Sequence, residues 1–461
     1  MKTPLVLFLS LLLSCSTLFG ATVKITGQSA PVYKGKMAYL YAEVDAISNR
    51  KSLIAKTEVD ENGNFLFNAE IAKTVKAFIS INRVSADLFL APNANYNVAF
   101  PDLASNQLKS FGGVNKVDLV FYELDKEDPN FLISLFNQGL EKFNRDNVDI
   151  AFTNAYNKKA LEFWRSAMTN YSSNEFVKQY VHFACANTLL NGGLNQRKVF
   201  EYFLDSTEVS VNNPEFGVFA GDFFKNILEE TDRIGGEEQV KITINVAPRA
   251  FKLLEELRKN DYLADLKIRE IVALQGLQEI YPRDGYNQAN ILDLINQIGV
   301  RTIYDEVKLL AENISFMLTW LAPGYEIPEF AIENYDGEAF RSTQFKGKPT
   351  LYVFWAPWSK VALDELVTLS TKKSVWDSKI NLVLISVGES TKEDKAALSA
   401  LGNLQVPSLS YKKHPQIIDE LQVISIPHYM FVDAEGKLLR HFSPSLDEMS
   451  PFINAQLKAL K

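Results

Sequence analysis

Cysteine and histidine are scarce in this chain of 461 residues, which contains two cysteines and four histidines. The histidines do not show the spacing of metal ligands, and no cysteine cluster accompanies them. The sequence also lacks a glycine-rich phosphate loop and a G-x-S-x-G nucleophile motif. We therefore expect neither a metal site nor a bound cofactor. The four histidines are His182, His414, His428 and His441.

An excess of positive charge is also missing. The formal net charge is −8, and lysine and arginine do not gather in any one segment. Nucleic-acid affinity depends largely on clustered basic side chains that contact phosphates. The composition therefore argues against a nucleic-acid partner, whereas 47% hydrophobic residues are ordinary for packed globular domains.

The sequence contains no apolar run long enough to span a bilayer. The N-terminal apolar segment, Leu5 to Leu13, is too short to do so. Lys2 precedes this run and small residues follow it, so residues 1–20 are predicted to be an export signal. Two cleavage sites compete. Leu12-Leu-Ser14-Cys15 resembles a bacterial lipobox, in which Cys15 would be acylated, and Gly20-Ala21 resembles an ordinary signal-peptidase site. Either site predicts an exported protein, in the periplasm or associated with the outer membrane, and lipidated Cys15 would attach it to a membrane.

If Cys15 is removed or acylated, Cys185 is the remaining cysteine and an intramolecular disulfide is excluded. Cys185 lies in an apolar helical segment, Val181-His-Phe-Ala-Cys185-Ala. We interpret it as a small buried hydrophobic residue rather than a reactive thiol.

Three regions of different periodicity divide the rest of the chain. Short alternating segments separated by turn residues predict an antiparallel β-sandwich over residues 21–104. Apolar residues at three- and four-residue spacing predict an all-α middle domain over residues 114–321, including one helix from Phe216 to Leu228. Alternating strand-like and helix-like segments predict an α/β domain over residues 323–461.

One motif in the third region is distinctive, Trp355-Ala-Pro-Trp358-Ser359-Lys-Val-Ala362, which follows an apolar strand and precedes a helix. Further motifs accompany it in order: Ile327-Pro-Glu-Phe330, Asn334-Tyr-Asp-Gly337, and Ser425-Ile426-Pro427-His428 followed by Phe431-Val-Asp433-Ala-Glu-Gly436. Together they resemble the thioredoxin-like proteins of the exported disulfide-reductase and peroxiredoxin-related group. Turn motifs in the first region, at Val59 to Phe67 and Leu90 to Val98, resemble a domain that precedes thioredoxin-like domains in exported Bacteroidetes proteins.

The resemblance implies that Ser359 and Ala362 occupy the positions of the C-x-x-C cysteines, and that Pro427 is a cis-proline facing them. Thiol–disulfide exchange needs one thiolate to attack and a second sulfur to resolve the mixed disulfide. Neither residue can supply one, so we expect a protein that is not an enzyme. Glu365 matches a family carboxylate, but without a thiol to deprotonate it is interpreted as a solvated or capping acid.

The predicted role is therefore binding. The candidate groove, which would hold an extended peptide or an envelope protein, comprises Trp355, Trp358, Ser359, Ile426, Pro427 and His428. Two other interpretations remain open. These residues could merely complete the domain core, or the protein could be an enzyme, either an oxidoreductase that uses Cys185 or a hydrolase that pairs Ser359 with His428.

Overall fold

The computed structural model describes residues 21–103, 115–376, 379–388, 390–401, 406–443 and 445–459. It confirms the predicted multidomain architecture: a sheet-rich N-terminal region, a helical middle and a C-terminal α/β domain. The predicted signal, Cys15 and the predicted boundary at residues 104–114 lie outside the described residues. Within those ranges, none of the helices has the length and apolarity needed to cross a bilayer.

The N-terminal region is built from two sheets that enclose one apolar core. The strand orders are β4-β1-β7-β9 and β3-β2-β5-β6-β8. Alternate residues of β4 are buried and exposed, as expected when one face of a strand covers a core. The pairing is mainly antiparallel, but β1 pairs with β7 and β6 with β8 in parallel, which the predicted antiparallel sandwich did not include. The strands are β1 (Ala21–Ser29), β2 (Met37–Glu43), β3 (Lys51–Glu58), β4 (Asn64–Ile71), β5 (Val75–Ile81), β6 (Val84–Leu90), β7 (Asn95–Phe100), β8 (Asn115–Lys116) and β9 (Val120–Phe121).

The middle region is helical, and several of its helices have an N-cap side chain that accepts a hydrogen bond from the first turn. Asp128, Thr153 and Asn174 each accept a hydrogen bond from a backbone amide of the first turn that follows. The predicted helix from Phe216 to Leu228 is instead two helices, because the backbone turns left-handed at Asn226, with φ of 55°. The helices are α1 (Pro129–Asp146), α2 (Asn154–Asn170), α3 (Glu175–Asn191), α4 (Gln196–Phe203), α5 (Pro214–Phe223), α6 (Ile227–Gly235), α7 (Gln239–Asn245), α8 (Ala250–Leu257), α9 (Leu266–Ile280), α10 (Gln288–Arg301) and α11 (Asp305–Thr319).

The C-terminal region is a seven-stranded sheet, in the order β11-β10-β14-β13-β12-β15-β16, with a separate apolar core on each face. Strands β12 and β13 are parallel neighbours, and β15 pairs antiparallel with the other side of β12. The strands are β10 (Ala331–Asn334), β11 (Ala339–Arg341), β12 (Thr350–Trp355), β13 (Asn381–Ser386), β14 (Ser408–Ser410), β15 (His428–Val432) and β16 (Leu438–Ser443). The helices are α12 (Lys360–Trp376), α13 (Thr391–Ala400), α14 (Ile417–Glu420) and α15 (Leu446–Ala459).

Polar contacts connect the regions. The buried Asp45 of the first region accepts a hydrogen bond of 2.7 Å from the Nδ2 of Asn313 on α11. Arg50 donates to the Oδ1 of the same asparagine at 2.9 Å. Trp320, just after α11, donates its indole N–H to the carbonyl of Glu420 on α14 at 3.2 Å. Helix α11 therefore contacts the N-terminal region directly, and Trp320, which follows it, is hydrogen-bonded to the C-terminal region.

Candidate functional site

The motif around Ser359 forms the connection from β12 to α12. Strand β12 ends at Trp355 and α12 begins at Lys360, so Ser359 occupies the position that caps the helix. Its hydroxyl accepts a hydrogen bond of 3.3 Å from the backbone amide of Ala362. Serine is a favoured N-cap because its oxygen satisfies one of the helix amides that lack an intrahelical partner. The Ala362 methyl is buried among the apolar side chains that α12 packs against the sheet.

The second part of the site is the segment that leads into β15. The Ile426–Pro427 peptide bond is cis, as the resemblance implied. Phe354 of β12 is paired with His428, the first residue of β15. Because the two strands are antiparallel, Pro427, which precedes His428, lies toward Trp355, which follows Phe354. The register therefore brings the cis-proline to the end of β12 from which the Ser359 connection leaves.

Three of the six predicted groove residues are buried, which corrects their predicted placement. Trp355 and His428 are both fully buried, so neither can present its side chain to a docked partner. Pro427 is buried as well, whereas Ser359 and Ile426 are half-buried. Trp358, in contrast, is 57% exposed.

The burial of His428 follows from the alternation of side chains along a strand. Phe354 and Trp355 point to opposite faces of the sheet, and α12 packs on the face of Trp355. The His428 ring lies against Phe354 and His441, with ring centroids 5.8 and 5.2 Å apart. Burial, with a smaller contribution from His441, lowers the pKa of His428 to about 3. His428 is therefore a buried imidazole on the face of the sheet opposite α12, and its lowered pKa favours the neutral form.

Three exposed apolar side chains lie in the two segments that contain the half-buried members of the site. Trp358 is joined by Val361, which is 59% exposed, and by Ile424, which is 60% exposed. Val361 lies in the first turn of α12, and Ile424 comes two residues before Ile426. Both segments meet at the same end of β12 and β15. We call Trp358, Val361 and Ile424 the apolar rim.

Glu365 has a structural task. Its Oε2 accepts a hydrogen bond from the Tyr429 hydroxyl and another, of 3.2 Å, from the backbone amide of Leu446, the first residue of α15. Burial, followed by the contact with Glu365, raises the pKa of Tyr429. Glu365 therefore connects α12, β15 and the start of α15, a structural role that does not depend on a neighbouring thiol. The interpretation as a capping acid finds support here, although the capped helix is α15 rather than α12.

The sequence did not predict that an acidic residue, Asp394, is buried near the β12–α12 connection. Asp394 of α13 is fully buried, and a Cβ added to Gly388 would approach its Oδ1 to 2.2 Å and Pro357 Cδ to 2.8 Å. Burial raises the pKa of Asp394, and the hydroxyls of Ser386 and Tyr335 oppose that shift. The surrounding Lys392-Glu-Asp-Lys sequence is typical of a solvated helix face, so the sequence contains no signal for this burial.

Cys185 lies in a different region of the protein from Ser359 and Pro427. It is buried on α3 in the core of the helical region, which is separate from both cores of the C-terminal sheet. Burial, followed by a contribution from Glu215, raises the pKa of its thiol to about 12. In the described ranges, the histidine, cysteine and acidic side chains form no group suited to a metal ion.

A seven-stranded sheet with α12 after β12 and a cis-proline before β15 defines a thioredoxin-like α/β domain. Residues 323–441, within this C-terminal region, match the AhpC/TSA family. The thiol-disulfide oxidoreductase ResA of Bacillus subtilis is 24% identical over 159 residues, which are 34% of this chain and 83% of ResA. The thioredoxin-like protein YneN of the same organism is 27% identical over 115 residues, 24% of this chain and 66% of YneN. The solved thioredoxin domain of a Bacteroides vulgatus thiol-disulfide oxidoreductase shares 19% identity, with a TM-score of 0.27, over 30% of this chain and 98% of that domain.

Proposed function

We propose that this protein is a non-catalytic, redox-dead member of the thioredoxin-like group that acts as a binding or scaffold component of the cell envelope. The observation that carries the proposal is the state of the two C-x-x-C positions. Ser359 caps α12 and Ala362 fills the core beneath it. Both residues serve the fold, and neither can form a disulfide.

The enzyme alternatives have weaker support. A thiol with a pKa raised to about 12 is almost entirely protonated at neutral pH, so Cys185 is a poor nucleophile. A hydrolase would need a base within hydrogen-bond reach of Ser359 and accessible to a substrate, and His428 is fully buried on the other face of the sheet.

The apolar rim supports the binding role. Exposed apolar side chains that are grouped together mark interaction sites more often than single ones do, and tryptophan is enriched among residues that dominate binding energy. The half-buried Ile426 lies between the rim and the core. An extended peptide segment with apolar side chains, belonging to another envelope protein, is the partner that this surface would fit.

The location belongs to the same proposal. Export to the periplasm, or attachment to the outer membrane, is inferred from the predicted signal in residues 1–20 and from the lipobox-like sequence at Cys15. Incorporation of labelled fatty acid that is lost in Cys15→Ala would separate the lipoprotein from an ordinary exported protein.

Two experiments test the function. The purified protein should reduce insulin no faster than a protein-free control, and turnover that disappears in Cys185→Ser would overturn the non-catalytic assignment. For binding, a photo-crosslinking amino acid at Val361 should capture an envelope protein in intact cells. The same substitution at Val300, which is 74% exposed on the helical region, is the matched control.

The captured protein should then bind the purified wild-type chain and lose affinity for Trp358→Glu and Val361→Glu, but not for Val300→Glu. Equal crosslinking from both positions, or unchanged affinity in both rim variants, would show that the rim is not the binding surface. We would not use His428→Glu, since a charge at a fully buried position would destabilise the domain.

A further inference from the structure

The helical region contains a cavity of about 430 Å³ that lies outside the thioredoxin-like domain. Helices α1 and α3 form two of its walls, and the turn before α2 and the start of α5 complete it. Its volume falls within the range of small-molecule sites, which typically occupy about 300–1,000 Å³.

Four of the residues that line this cavity carry primary amides. Helix α1 contributes Asn137 and Asn144, and α3 contributes Asn187 and Asn191. The spacing of seven and of four residues places each pair on one helix face. Asn144 and Asn191 are exposed at the mouth, whereas Asn187 is more than nine-tenths buried.

A hydrogen-bond network holds these side chains in position. Asn187 donates its Nδ2 to the Oε2 of Glu215 at 2.9 Å and to the Glu215 carbonyl at 3.2 Å. Among the described residues, the buried Oδ1 of Asn187 has no hydrogen-bond partner. At the mouth, the Tyr156 hydroxyl donates to the Oδ1 of Asn144 at 3.0 Å. A buried acceptor without a hydrogen bond is unfavourable, and a donor group of a bound ligand would satisfy it.

The rim of the cavity carries an aromatic ring. Phe152 lines the cavity and is 77% exposed, at a backbone φ of 62°, which is unusual for a residue with a large side chain. Beside it, a Cβ on Gly192 would come within 2.7 Å of the Tyr156 ring. Glycine at this position therefore allows the end of α3 to approach Tyr156, and the wall is shaped by a close backbone contact.

The charge of the cavity limits what it can hold. Glu215 is the one charged residue among those that line it, and lysine and arginine do not contribute to its lining. Burial raises the pKa of Glu215, which favours the neutral acid. Anionic ligands such as phosphates and carboxylates would find no positive partner among these residues, which favours a polar ligand without negative charge.

We propose that this cavity, which we call the amide pocket, binds a neutral saccharide. A primary amide offers a donor and an acceptor in one plane, and adjacent sugar hydroxyls can each donate and accept. The exposed face of Phe152 would cover the apolar C–H face of the ring. Peptide segments usually bind by pairing with a strand edge, but the walls of this pocket are helices whose backbone groups bond within the helix.

The test uses the full chain and a panel of neutral saccharides: N,N′-diacetylchitobiose, cellobiose, maltose and methyl β-galactoside. Saturation-transfer difference NMR would show which sugar binds, and titration calorimetry would give its affinity. We expect Phe152→Ala to weaken binding by about three- to tenfold, the scale of one aromatic contact. Asn191→Ala should also weaken binding, because it removes an amide at the mouth. The matched controls are Phe251→Ala, which removes a ring that is 65% exposed on α8, and Asn170→Ala at the end of α2.

Saccharide binding that is weakened by both pocket variants and unchanged in both controls supports the proposal. If none of the four sugars binds, the assignment is wrong. It is equally wrong if a sugar binds with the same affinity to both pocket variants, or if acetyl-trialanine amide binds in the pocket and the sugars do not. Both pocket substitutions replace exposed side chains, and equal melting temperatures would confirm that the variants fold.

Discussion

The hydroxyl of Ser359 accepts a hydrogen bond of 3.3 Å from the backbone amide of Ala362, so a helix cap joins the two residues that the resemblance matches to a C-x-x-C pair. In a redox-active relative the same spacing would place two sulfurs at the start of a helix, where the helix dipole stabilises a thiolate. Here a good capping residue and a good core residue occupy the two positions. A helix cap and core packing are therefore enough to account for the local structure at these two residues.

The first prediction concerns this cap. Ser359→Ala should lower the free energy of unfolding of the C-terminal domain by about 0.5–2 kcal/mol, because an amide of the first turn loses its partner. Ser359→Asp keeps an acceptor and should lower it much less. Urea denaturation followed by tryptophan fluorescence is a suitable measurement, since four of the five tryptophans, Trp320, Trp355, Trp358 and Trp376, lie in or next to this domain.

The control for the cap is Ser399→Ala. Ser399 is exposed and donates to the carbonyl of Lys395 within its own helix, so its removal should change the stability little. Equal losses in Ser359→Ala and Ser399→Ala would show that the Ser359 hydroxyl does not act as a cap.

The second prediction concerns Cys185. In a Cys15→Ser background, native protein at pH 7.5 should react with iodoacetamide only slowly, because burial raises the pKa of the Cys185 thiol to about 12. Unfolding in guanidinium chloride should restore a normal rate. A Ser359→Cys variant, whose thiol would sit at a half-buried helix start, should react quickly in native buffer and serves as the positive control. Rapid native alkylation of Cys185 would contradict its assignment as an inert core residue.

The third prediction concerns the buried Asp394. Its pKa is raised in the folded state, so the native protein holds the proton over a pH range in which the unfolded chain has released it. The contribution of Asp394 to the free energy of unfolding is therefore greatest below the unfolded pKa of about 4, and it decreases as the pH rises above that value. Asp394→Asn removes the titration and should raise the free energy of unfolding at pH 8 by about 1–3 kcal/mol. The difference between variant and wild type should shrink as the pH is lowered toward 4, and a constant difference would contradict the argument.

Local patterns in the sequence were sufficient to predict several elements, both at the site and in the N-terminal region. The apolar run before Trp355, the helical spacing after Ser359 and the alternation of β4 each depend on a few neighbouring residues. The break between α5 and α6 was not predicted, because Asn226 adopts its left-handed conformation among residues that otherwise continue a helical pattern.

Which residues of the site face solvent could not be predicted in the same way. Whether His428 joins the core or a groove depends on how β15 pairs with β12, and a shift of one residue would reverse its face. The burial of Asp394 likewise depends on α13 lying over Gly388 and Pro357, which are distant from one another in sequence. Such facts arise from tertiary packing, so the composition of the segment alone does not reveal them.

The last prediction uses His428. Burial lowers its pKa to about 3, whereas an unfolded histidine titrates near 6.5. Between these values the unfolded chain binds a proton that the native protein does not, so stability falls as the pH drops from about 6.5 toward 3. The loss from this residue should reach about 2 kcal/mol at pH 5, since each pH unit contributes up to about 1.4 kcal/mol.

His428→Leu cannot bind the proton and should show a shallower decline of the free energy of unfolding over the same pH range. His414→Asn is the comparison, because His414 is only half-buried and its pKa is lowered for the same reason, so it should change the slope less. Urea denaturation at pH 7.5, 6.0 and 5.0, followed by tryptophan fluorescence, gives the slope of the free energy of unfolding against pH for the wild type and for each of the two variants. If His428→Leu loses stability with acid as steeply as the wild type, His428 does not stay neutral in the folded protein. Its place would then have to be reconsidered as a residue that water, and a partner, can reach.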